Sequence, residues 1–144
     1  MIEKDTIRLL RECDAGVRMG IEAIDQVMKD ARADHLKQLL RDCRAEHIQL
    51  QGEINGHLAR FHDEGKDPSP IAQGMSWMKT NVKMAMEPSD KTVADLITDG
   101  CGMGVKSLSG YLNQYAAADE FSKDIAKRLI ALEDRLARDL RDFL

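Results

Sequence analysis

The chain has 144 residues, 43% of them hydrophobic and 32% charged, with only 4% aromatic. That length fits a single domain, residues 1–144, around one core, and the composition is that of a helical protein. A net charge of −4 with no basic patch argues against nucleic acid as a partner.

The first residues, MIEKDTIRLLRECD, are charged from the third position and hold no apolar signal core, so a cytoplasmic protein is expected. No apolar run approaches the roughly 20 residues of a membrane span. Three widely spaced cysteines make no disulfide framework, and reduced thiols are the default.

Apolar residues recur at helical spacing almost throughout. The first predicted helix runs from Asp5 to Lys29, with the stripe Leu10, Cys13, Val17, Ile21, Ile24 and Met28. The second runs from Ala33 to Asp63 on Leu36, Leu40, Cys43, His47, Leu50, Ile54 and Phe61. The segment HDEGKDPSP then breaks the pattern, and Ser69 with Pro70 opens a shorter third helix. That element carries the only tryptophan, Trp77, and several methionines. Trp77 and Met78 read mainly as cover for the bundle. Met84 and Met86 fit a soft partner surface equally well, so Trp77, Met84 and Met86 are the candidate interface.

After a break at Glu87-Pro88-Ser89-Asp90, the fourth predicted helix runs from Asp90 to Ala117 on Val93, Ile97, Cys101, Gly104, Leu108, Leu112 and Tyr115. Asp119 is a plausible cap for the fifth, whose stripe is Phe121, Ile125, Leu129, Leu132, Leu136, Leu140 and Phe143. Short connections make the first and last pairs antiparallel hairpins, joined by a long crossover that contains the short helix. The first and fourth helices also align without a gap. Leu9 falls on Ile97, Cys13 on Cys101, and Gly16-Val17-Arg18 on Gly104-Val105-Lys106, a pseudo-repeat of two hairpins.

The stretch Asp99–Ser107, DGCGMGVKS, resembles a phosphate-binding loop. Val105 separates Gly104 from Lys106, so the Walker spacing fails, and no strand precedes it. The glycines therefore belong inside a helix, where each costs about 1 kcal/mol relative to Ala. Gly16 and Gly20, like Gly100 and Gly104, are one turn apart and predict close packing of the first helix on the fourth. Gly52 and Gly56 put a similar face on the second helix.

Cys13, Cys43, His47 and Cys101 all fall on inward stripes, and helix lengths place them near the middle of the bundle. Thiolates with imidazole suit zinc or copper. Packing is the stronger reading, because cysteine behaves as a small hydrophobe and the spacing lacks a zinc-knuckle pattern. No cofactor is expected on that reading. His35, His57 and His62 lie off the stripe or near the helix ends, and Glu46 and Glu53 at its flank. No Ser or Cys shows a His and Asp partner in sequence, so no catalytic residue is assigned.

The segments LLRECDAGVRMGIEAID, SWMKTNVK and ADLITDGCGMGVKSLSGYL resemble a bacterial ferritin-like family known only as a domain of unknown function. The resemblance spans nearly the whole chain. It implies an all-α, ferritin-like four-helix bundle of two antiparallel hairpins with an extra crossover helix, and no defined activity. Di-iron members of the wider superfamily use carboxylates and Glu-x-x-His pairs. This sequence has no Glu-x-x-His, and Cys13 and Cys101 stand at mid-stripe. The expectation is a non-catalytic interaction or stress-related accessory protein, a homodimer, with metal binding through Cys13, Cys43, His47 and Cys101 as the alternative.

Overall fold

The structure, a computed structural model, describes residues 2–63, 65 and 87–144. The crossover helix expected from Ser69, with Trp77, Met84 and Met86, lies outside the described residues. Within them the protein is all-α. Four helices carry the fold: α1 (Ile2–Met28), α2 (Asp34–Ala59), α3 (Asp90–Gln114) and α4 (Glu120–Asp139). A 3-10 turn, Leu140–Phe143, follows α4.

The helix ends follow from local chemistry. Ser89 Oγ accepts the Thr92 N–H at 3.2 Å and opens α3, and Asp119 Oδ1 accepts the Ser122 N–H at 2.8 Å and opens α4. Ala33 offers α2 no capping side chain. α2 ends at Ala59, short of the predicted Asp63, because His62 takes a left-handed φ of 55°. The Asp63 N–H then bonds Leu58 O at 3.1 Å and the His62 N–H bonds Ala59 O at 3.1 Å, the Schellman pattern that terminates a helix.

Hydrogen bonds at the two ends fix the direction of every helix. At one end the Ala117 N–H donates to Asp5 at 3.1 Å, the Asp119 N–H donates to Thr6 Oγ1 at 2.8 Å, and His57 pairs with Asp119 at 2.9 Å. The starts of α1 and α4 therefore lie beside the ends of α2 and α3. At the other end Asp90 accepts the Arg32 and Ala33 N–H groups at 2.7 and 3.0 Å, and the rings of His35 and Phe143 lie 6.0 Å apart. α1 and α4 run one way, and α2 and α3 the other. The chain leaves α2 at one end of the bundle and enters α3 at the opposite end.

The stripes read from the sequence line the core. Leu9, Leu10, Leu36, Leu40, Ile54, Leu58, Ile125, Leu129 and Leu140 are fully enclosed. Phe121 is the exception. Expected on the α4 stripe, it is 43% exposed and lies against the His57 ring, with centroids 4.3 Å apart. No helix among the described residues is long and apolar enough to cross a membrane.

Candidate functional site

A polar cluster lies in the middle of this apolar core, with all four helices contributing. His47 on α2 and Glu133 on α4 are both buried, and His47 Nε2 is 3.8 Å from Glu133 Oε1. The space they occupy is left by glycines. A Cβ on Gly20 of α1 would lie 2.6 Å from His47 Nε2, and one on Gly104 of α3 would lie 2.8 Å from Glu133 Cδ. Any other residue at these two positions would collide with the imidazole or the carboxyl group.

This changes the account of the glycines. Gly20 and Gly104 make room for buried polar side chains on α2 and α4, rather than for close approach of α1 to α3. A Cβ on Gly16 would make an ordinary 3.7 Å contact with Leu129 of α4, and one on Gly100 would meet nothing within 4 Å among the described residues. The stretch from Asp99 to Ser107 is continuous α-helix inside α3. Its interior N–H groups are engaged in the helix ladder and are unavailable to a phosphate.

His47 Nδ1 is 2.8 Å from the Cys43 carbonyl oxygen, which can only accept, so Nδ1 carries a proton. The Cys43 Sγ lies 3.5 Å from the same nitrogen. Nε2 then faces a carboxylate, and that contact is favourable only when the pair holds a further proton. Burial pushes the imidazole pKa down, but Cys43 and Glu133 together outweigh it and lift His47 to about 10. Burial raises Glu133, and His47 opposes that rise. Both directions keep the proton within the pair at neutral pH. Neither His47 Nε2 nor Glu133 Oε2 has a hydrogen-bond partner among the described residues.

The structure brings together some of the sequence candidates and separates others. Cys43 and His47 touch, and Cys101 lies within electrostatic reach of Glu133 and Cys43. Burial, then Glu133, pushes the Cys101 thiol up. Cys13 answers instead to Glu12 and Asp14 beside it, and burial pushes it up to about 12. The described residues hold no group of three or more His, Cys, Asp or Glu side chains arranged to hold a metal ion. The reason is visible around the imidazole: Cys43 sits at Nδ1 and Glu133 at Nε2, so their donors do not converge on one point. Glu46 and Glu53 lie at the α2–α4 flank, paired with Arg135 and Arg128.

Glu133 was not a candidate in the sequence, yet a signal for it was present. The pseudo-repeat extends to the second helix of each hairpin. Placing His47 on Glu133 puts Leu36, Leu40, Cys43, Leu50 and Ile54 on Ser122, Ala126, Leu129, Leu136 and Leu140, and every one of these is buried. His47 and Glu133 therefore occupy equivalent positions in the two hairpins. No family model, curated protein or solved structure matches the chain.

Proposed function

We propose that the protein is a ferritin-like bundle acting as a non-catalytic interaction or stress-related accessory protein, and that it works as a homodimer. The helix directions support the ferritin-like assignment. Two antiparallel hairpins joined by one connection between opposite ends is the arrangement such bundles use. At mid-bundle α4 contributes Leu129, Leu132 and Leu136 beside Glu133, in place of the Glu-x-x-His of di-iron bundles.

The observation that carries the association is the outward face of α3. A Cβ on Gly100 or Gly110 would meet nothing within 4 Å among the described residues, and Met103 on the same side of the helix is 67% exposed. Each such glycine costs a helix about 1 kcal/mol. A second helix laid on this face recovers that cost, because small residues permit close approach and Met103 supplies an adaptable apolar contact. Light scattering on the wild type and on Met103→Glu tests the proposal. The expected result is a dimer that becomes a monomer in the variant with helicity intact. A wild type that stays monomeric at high micromolar concentration refutes it.

A further inference from the structure

The outward side of α3 carries a charge pattern of its own. Asp99, Met103, Lys106, Ser107 and Gly110 are all exposed, and helical spacing sets them along a single face. Asp99 lies one turn before Met103, about 6 Å along the helix axis, and Lys106 lies nearly one turn after it, about 4.5 Å along. At about 100° per residue the two charges also fall on the same side of Met103. The face is therefore apolar at its centre, negative towards one end and positive towards the other. We infer that α3 pairs with α3 of a second copy of this chain in antiparallel order, about a two-fold axis at Met103, with Asp99 of each copy beside Lys106 of the other. This inference rests on the dimer proposed above and assigns its geometry.

The direction of pairing decides which charges meet. A two-fold interface between identical chains is self-complementary, so each contact in it occurs twice. In an antiparallel pair, a residue that precedes the axis lies beside one that follows it, on the same side of the seam. Asp99 then meets the opposite charge of Lys106 at two equivalent places. In a parallel pair each residue lies level with its own copy, so Asp99 approaches Asp99 and Lys106 approaches Lys106. Juxtaposed like charges disfavour that arrangement. The pattern thus favours one direction and opposes the other. At the axis, the exposed Met103 packs against its own copy, and a flexible thioether adapts to such a contact. Gly110 keeps the seam low beyond it, since no Cβ stands there. The opposite side of α3 is already used, because Val93, Ile97, Cys101 and Leu108 are buried in the core.

Charge exchange and cross-linking test the register on the full chain. Lys106→Glu and Asp99→Lys each replace the attractive contacts with repulsive ones, and each is expected to raise the dimer dissociation constant in sedimentation equilibrium about tenfold. The double variant Asp99→Lys/Lys106→Glu exchanges the charges and is expected to return that constant to within about threefold of wild type. Both positions are exposed, so helicity by circular dichroism is expected to be unchanged in all three. Oxidation with copper phenanthroline then reads the direction. Met103→Cys is expected to give a disulfide-linked dimer. Gly110→Cys is expected to give none, because its two copies lie about 21 Å apart along an antiparallel seam, beyond the reach of a disulfide. A dimer that cross-links through Gly110→Cys overturns the antiparallel register and leaves the dimer standing. So does a dimer that none of the charge variants weakens, or one that the double variant fails to restore. A wild type that stays monomeric in sedimentation overturns the register and the dimer together.

Discussion

Removing the carboxylate of Glu133 tests whether the central pair acts as a unit. At 3.8 Å, an effective dielectric of about 20 gives an attraction of about 4 kcal/mol between unit charges. Both partners are buried, so a lone imidazolium left behind by Glu133→Leu is poorly solvated and sheds its proton, which limits the loss. The expected cost of Glu133→Leu at neutral pH is about 2–4 kcal/mol. His47→Leu should cost a similar amount, and the double variant should cost less than the sum by about 2–4 kcal/mol. Urea unfolding of the four proteins measures this cycle. The pH dependence supplies a second reading. His47 is lifted from 6.5 to about 10, so its stabilising contribution is complete below about pH 6.5 and is lost as pH rises through 10. Wild-type stability should therefore fall across that window, and the fall should be smaller in Glu133→Leu. Because Glu133 also raises the Cys101 thiol, the comparison is made with Cys101→Ala in both proteins. Additive single substitutions, or identical pH slopes, would refute the coupled pair.

Other substitutions separate the remaining structural claims. Gly20→Ala drives a methyl group into the His47 ring, 2.6 Å from Nε2, and should destabilise by about 1–3 kcal/mol in urea melts. Gly52→Ala, where a Cβ meets nothing within 4 Å among the described residues, should instead stabilise by up to about 1 kcal/mol. Asp119→Ala removes the α4 cap and the partner of His57, so a loss of about 1–2 kcal/mol is expected by the same measurement. His62→Gly relieves the left-handed φ of 55° and should raise the denaturation midpoint, by no more than about 1 kcal/mol in stability.

The helices were legible because their signals are local. Asp119 caps where the sequence places it, α3 starts at Asp90 as expected, and the stripe from Leu36 to Ile54 is buried throughout. The end of α2 was not legible, since His62 in a left-handed conformation gives no warning of the kind a glycine gives. Phe121 was misplaced for a similar reason. Periodicity puts it on the stripe, but at the first turn of α4 it lies against His57 and remains partly in water. In the site, His47 and Cys43 were legible as polar residues on an apolar stripe. Glu133 was not, because an acidic residue beside leucines on a charged helix reads as a flank. Its burial follows from the vacancy above Gly104, a residue 29 positions earlier on a different helix.

The glycines and the polar pair explain one another. Taken alone, Gly20 and Gly104 each weaken their helices by about 1 kcal/mol. Taken alone, a buried His47 and Glu133 fill core positions that leucines would fill more stably. Fold stability would be better served by alanines on α1 and α3 facing apolar residues on α2 and α4. The chain departs from that solution at four positions, and the four meet in space. Local rules broken together at one place are the mark of a site rather than of a scaffold. The contact between His57 and Asp119 does not share this character. Asp119 also caps α4 there and donates its own N–H to Thr6 Oγ1, so that contact is accounted for by the architecture it holds. His47 and Glu133 terminate nothing and cap nothing. What their arrangement provides is a proton shared between two buried side chains from different hairpins, held in the middle of the apolar core.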